Sequence, residues 1–390
     1  MKKLKQFIVG LVIFIALLIL SLYIFEKDYL LRAVRVTYFN GHTTAFLDDY
    51  KHFDNRIIEK STVAQPWKIA KNYNQIKTTK RLEELHKAIG TVAFLIIKKD
   101  SIWHESYYDN YTKNSKSNSF SMAKSIVSTS LGKAIMQGKI KSLDQKVSDF
   151  FPEFKKGITA DMTVGDLSSM ASGLDWDEAY YDPFSITTRA YFDDNLRTLI
   201  LGLKGIEKPG KTYKYLSGNT QLLAMCIEKA VGKSLANYVS ESFWKPMGAQ
   251  SDALWQTDRE NGIVKAYCCI ASNARDFARF GKLYLQHGKW NGKAILDSAF
   301  VAKSLTPRFK DSPQYGYGWW LSNFKNKQLF YMRGHLGQYV IVVPEDDLII
   351  VRLGNHDKPS TNGSPHTDDF YVYLEESYKM LQQELSPTKN

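Results

Sequence analysis

Between Phe7 and Phe25 the chain reads FIVGLVIFIALLILSLYIF, 19 residues without a charge. No other segment is so restricted in what it can become. In hydrocarbon every backbone N–H and C=O must be satisfied within the segment, so such a run folds as a helix, and about 20 apolar residues span a bilayer core. A cleaved leader has a shorter apolar region and a small-x-small site. This run ends Ser-Leu-Tyr-Ile-Phe-Glu and has neither. Lys2, Lys3 and Lys5 precede it, and basic residues favour the cytoplasmic side. The expectation is a cytoplasmic tail over 1–6, a single transmembrane crossing of the inner membrane over 7–25, and the rest of the chain on the periplasmic face.

Composition narrows the remaining chain. Hydrophobic residues at 44% and charged residues at 24% suit a packed soluble core. The net charge of +12 is spread along the sequence rather than gathered in a basic stretch. With no zinc finger or RNP segment beside it, no nucleic-acid partner is expected. Cys226, Cys268 and Cys269 read as three buried thiols, since neighbouring cysteines rarely bridge. The eight histidines form no His-x-x-x-His pair, so neither a metal nor another cofactor is expected.

Residues 26–85 are mixed and polar and read as a stalk that packs partly on the main domain, which occupies 86–390. The domain opens with an apolar strand over 91–97, a Lys-Lys-Asp-Ser turn, and an alternating strand over 102–108, a β-hairpin. An apolar helix follows over 122–137, then helices over 219–231, 235–244 and 274–286. Strands return at 330–333, 339–343 and 348–353, before a last helix over 370–385. Strands at both ends enclosing helices predict an α/β (α+β) fold: one antiparallel sheet flanked by helices, with an all-helical subdomain inserted.

The chemistry begins with Ser-x-x-Lys, which occurs at Ser121, Ser130, Ser242, Ser322 and Ser386. Five matches make the bare pattern close to noise, so context has to choose. Ser121 opens the apolar helix, where unpaired N–H groups and the helix dipole stabilise developing negative charge. Lys124 lies one turn on, on the same face. It acts as a base only if burial lowers its pKa. Ser130 lies mid-helix, Ser242 late in a helix, Ser322 in a loop and Ser386 in a proline-containing tail. Tyr215-Leu-Ser217 stands in a turn before a helix, a suitable mount for a phenol. Gly334-His335-Leu336-Gly337-Gln338 joins two strands, where glycines let a substrate approach the backbone.

Taken together and in order, these motifs resemble the serine β-lactamase and penicillin-binding superfamily, in its class C-like branch, and within it the 6-aminohexanoate-dimer hydrolases and related esterases. The resemblance spans about 90–385. Besides the motifs above it rests on Met170-Ala-Ser-Gly-Leu-Asp-Trp-Asp-Glu-Ala-Tyr180-Tyr-Asp-Pro183, on Asn273-Ala-Arg-Asp-Phe-Ala-Arg-Phe-Gly281 and on Gly318-Trp-Trp320. It implies a β-lactamase-like fold with the site between sheet and helical domain. Ser121 would be the nucleophile, Lys124 its base and Tyr215 the proton relay. The N–H groups of Ser121 and Gln338 would form the oxyanion hole. Tyr180, Ser217, His335 and Gly337 would contact substrate.

The third motif departs from the family. Penicillin-binding relatives place Lys-Thr-Gly or Lys-Ser-Gly there, a cation and a hydroxyl that grip a carboxylate. Here His335 and Leu336 replace them. The expected function is therefore a membrane-anchored serine hydrolase cleaving a small ester or amide through an acyl-enzyme. A D-Ala-D-Ala carboxypeptidase or class C-like β-lactamase, and a catalytically silent binding protein on the same fold, stand as alternatives.

Overall fold

The computed structural model describes residues 1–385. The apolar run lies within the helix Lys2–Ile24, which buries none of its residues against the protein and is long and apolar enough to cross a membrane.

Seven strands form the main sheet, in the order Trp320–Phe324, Lys327–Gly334, Gln338–Val343, Leu348–Gly354, Thr91–Lys98, Ser101–Tyr107, Lys68–Ile69. The expected hairpin is present, turned by Lys99 and Asp100 at φ of 47° and 62°, the left-handed pair that matches strand twist. Lys68–Ile69 runs parallel to Ser101–Tyr107. The sheet is therefore mixed, not purely antiparallel as the pattern predicts, because two residues are too few to show a period.

Alternate residues of each central strand face two cores. Ile349 and Val351 join the large core on the helical side, whereas Leu348 and Ile350 pack with Phe370, Tyr373 and Leu374 of the C-terminal helix Asp368–Leu385. On the helical side Ala274–Leu285 lies close to the strands at Gly281. A Cβ there would come within 2.9 Å of Val340, so only glycine permits that approach.

A second sheet orders Asn55–Ile58, Ala253–Gln256, Ile270–Ser272 and Ser117–Asn118. The 26–85 segment thus supplies one strand to each sheet, and Asp49 within it is fully buried. Its helix Lys80–Ala88, capped by Thr79, contributes Leu82 and Leu85 to the core beneath the C-terminal helix.

Several local expectations change. The helix expected over 235–244 is Leu235–Val239 followed by a π turn, Ser240–Trp244. Ser322 lies in the strand Trp320–Phe324 instead of a loop, and Ser386 lies outside the described residues. A short helix not expected from the sequence, Ile186–Phe192, is capped by Ser185. Cys268 and Cys269 are joined as a disulfide, which corrects the reading of three free thiols; Cys226 alone remains a free, buried thiol among the described residues. Cys269 sits at φ 74°, in the left-handed region, where the chain reverses.

Candidate active site

Three short ties fix the loop that presents Ser121. Ser119 donates its N–H to Ile270 O at 2.7 Å, Asn118 donates to Leu47 O at 2.7 Å, and Asn118 Oδ1 accepts the Phe120 N–H at 2.9 Å. Phe120 is held at φ 43°, an unfavourable conformation for an aromatic residue that persists only where its surroundings enforce it. Ser121 then stands at the N-cap position of the helix Met122–Met136, its hydroxyl making no capping bond, and twelve of the helix's 15 residues are buried. Ser130 spends its hydroxyl on Ile126 O at 2.9 Å, a structural role.

Lys124 is 3% exposed, and its Nζ donates to Ser121 Oγ at 2.8 Å and to Tyr267 O at 2.9 Å. Burial lowers its pKa to about 8, with the Glu178 carboxylate pulling the other way. Near neutral pH a useful fraction of this amine is a free base. Tyr215 lies before the helix Ser217–Val231 with its phenol near Ser121, and burial keeps that phenol protonated well above the ordinary range. Lys124 Nζ is 5.0 Å from the centre of the Tyr215 ring. The amine is thus the group ready to accept a proton and the phenol the group ready to give one.

Glu178 organises the neighbouring wall, and sequence reasoning missed it. Its carboxylate accepts the Ser217 N–H, the Ser217 hydroxyl at 3.1 Å and the Tyr180 hydroxyl at 2.6 Å. The Tyr180 ring stacks on His335 with centroids 5.2 Å apart. Burial lowers the His335 pKa, so the imidazole is neutral at pH 7. The only hint in the sequence is the acidic residue two positions before Tyr180. Arg333, also missed, lies over the Trp320 ring at 5.2 Å, and its charge acts on both Tyr215 and His335.

At the third motif the chain turns through Leu336 at φ 62° and Gly337 at φ 77°. Arg352 holds the turn by donating to Leu336 O at 2.7 Å and Gly337 O at 2.9 Å. The Gln338 side chain donates to Gly354 O at 2.7 Å and accepts the Gly354 N–H at 3.0 Å. A cleft is lined by Ser121, Tyr180, Ser217 and His335, among others, and not by Lys124, Tyr215, Gly337 or Gln338. The structure therefore brings Ser121, Tyr180, Ser217 and His335 to the cleft, with Lys124 bonded to Ser121 and 5.0 Å from the Tyr215 ring, while Gly337 and Gln338 lie outside the lining.

A helix-start serine bonded to a desolvated lysine and set near a protonated phenol, between a β-sheet and inserted helices, defines a serine-hydrolase superfamily protein of the β-lactamase type. Residues 73–369 match the family described as Beta-lactamase, and the chain belongs to that family. It is 24% identical over 303 residues to the 6-aminohexanoate-dimer hydrolase of Paenarthrobacter ureafaciens, covering 72% of this chain and 76% of that one. It is 29% identical over 174 residues to penicillin-binding protein 4* of Bacillus subtilis strain 168, covering 43% of this chain and 38% of that one. A Bacillus anthracis structure assigned provisionally to the 6-aminohexanoate-dimer hydrolases superposes with a TM-score of 0.70 at 21% identity, covering 87% and 93% of the two chains.

Proposed function

We propose that this protein is a membrane-anchored serine hydrolase that cleaves an ester or amide through an acyl-enzyme on Ser121. The observation that carries this is the 2.8 Å bond from a buried Lys124 amine to the Ser121 hydroxyl. Lys124 removes the Ser121 proton as Oγ attacks the carbonyl. The Ser121 N–H, which donates to no protein acceptor among the described residues, supports the oxyanion. A second N–H comes from the 335–338 turn: Gln338 by the family resemblance, or His335 by its place on the cleft wall. Tyr215 passes the proton to the leaving group, and water then releases the acyl group by the reverse path. Tyr180, Ser217 and His335 shape the substrate side, and Gly337 lets the turn close against Arg352.

Anchoring rests on the uncharged run that begins at Phe7 within the unburied helix Lys2–Ile24 and on Lys2, Lys3 and Lys5 at its start, which favour a catalytic domain outside the cytoplasm. Hydrolysis of 4-nitrophenyl acetate tests the chemistry. Wild-type protein turns it over and Ser121→Ala does not; equal rates for the two would refute the reading.

A further inference from the structure

One wall of the cleft beside Ser121 comes from residues outside the family match. Ala33, Thr37, Tyr38 and Thr43 to Ala45 line it, all within about twenty residues of the end of the apolar helix at Ile24. The facing wall includes Tyr181, Pro183 and Tyr191. Two contacts tie the walls together at the helix end: Tyr29 Oη donates to Pro183 O at 3.0 Å, and Glu26 pairs with Arg189 at 3.3 Å. Only residues 25–28 separate Ile24 from the helix Tyr29–Val36, a reach of about 14 Å at full extension. One wall of the cleft therefore begins close in the chain to the level where the apolar helix ends.

The rim has the chemistry of that level. Tyr38 and Tyr181 line the cleft yet are 61% and 73% exposed, and their neighbours Phe39 and Phe184 are 80% and 65% exposed. Exposed aromatic rings beside a spanning helix are the usual anchors at a membrane–water interface. Deeper in, Phe120, Phe192 and Tyr267 continue the apolar lining. Tyr215, assigned above to the leaving group, does not line this cleft. Its ring packs 5.5 Å from that of Trp320, which is likewise outside the lining. The cleft thus takes the acyl half of the substrate.

We propose that this cleft receives the long hydrocarbon chain of an amphiphilic ester drawn from the leaflet that the Tyr38, Phe39, Tyr181 and Phe184 rim touches. The inference rests on the assignment of Ser121 and of the anchor helix made above. In the reaction Ser121 Oγ bonds to the acyl carbon as the ester C–O bond breaks. The serine proton reaches the departing alkoxide through Lys124 and Tyr215. Water then cleaves the acyl-enzyme, giving the fatty acid and restoring the serine hydroxyl.

The test uses the full chain in vesicles of phosphatidylethanolamine and phosphatidylglycerol, with 4-nitrophenyl butanoate and dodecanoate as substrates and a fluorophosphonate probe to report Ser121. The expected kcat/KM is at least about tenfold higher for dodecanoate, a fraction of what burying eight further methylenes provides. The Phe39→Asp/Phe184→Asp double variant, altered only at exposed positions, should lose that preference while keeping butanoate turnover and probe labelling. Equal wild-type rates on the two esters, with Ser121 labelled, overturn the lipid-chain assignment and leave the serine hydrolase standing. A preference that survives in the double variant overturns the membrane-facing rim. An unlabelled Ser121 overturns both this inference and the reading beneath it.

Discussion

Lys124 Nζ donates to Ser121 Oγ at 2.8 Å from a position that is 3% exposed. Burial, acting against the charge, brings the amine down to about 8 from 10.5. The free amine is the active form, so kcat/KM should rise with pH through about 8 and level off above it. The same shift has a cost in stability. The unfolded lysine keeps its proton up to about 10.5, so the penalty is complete below about 8 and fades as pH rises toward 10.5, an effect of about 3 kcal/mol. Lys124→Met should therefore be inactive yet up to about 3 kcal/mol more stable at pH 7, as thermal or urea unfolding would record.

Glu178 raises the Lys124 pKa across the site. Replacing Glu178 with Gln removes that charge, and the midpoint of the pH–rate profile should move below about 8, toward acid. The variant also turns an acceptor of three bonds into a group that must donate through one end. KM should then rise as the Tyr180 wall loosens. A pH profile with an unmoved midpoint would show that Glu178 only supports the wall.

Asp49 is fully buried and accepts from Tyr191 Oη at 2.6 Å, Gln256 Nε2 at 2.7 Å and Asn118 Nδ2 at 3.0 Å. Asn118 in turn holds the Phe120 N–H beside the nucleophile. Asp49→Ala should leave those donors unpaired and cost about 3–5 kcal/mol, measured by denaturant unfolding. Deleting residues 26–72, although they precede the family match at 73, should yield an insoluble chain and not a freed catalytic domain.

A fluorescent penicillin should label the protein weakly or not at all under conditions that label a penicillin-binding control. Leu336 has no hydroxyl and is 8% exposed, and His335 is driven toward its neutral form by burial. Nothing at that turn grips a carboxylate as Lys-Thr-Gly does. Stoichiometric labelling would instead support the carboxypeptidase or β-lactamase alternative.

The parts of the fold readable from sequence were those with enough residues to show a period. The 91–108 hairpin, the helix behind Ser121 and the strands from 327 to 354 all gather long apolar or alternating runs. The four-stranded sheet was not readable, because its strands have two to four residues and pair over great separations, as Asn55 does with Gln256. The site divides the same way. Ser121, Lys124 and Tyr215 sit in recognisable local settings, at a helix start and before one. Glu178 and the Ala33–Ala45 wall acquire their roles only when distant segments meet, and no spacing in the chain encodes that meeting. The Cys268–Cys269 link likewise depends on a reversal at Cys269 that composition does not show.

The central claim is that Lys124 makes Ser121 a nucleophile. Intact-protein mass spectrometry after exposure to a fluorophosphonate measures this most directly. The account predicts one adduct on the wild-type chain, mapped to Ser121 and absent from Ser121→Ala and Lys124→Met, both of which remain folded. A wild-type chain that stays unmodified, or an adduct that persists in either variant, would contradict it.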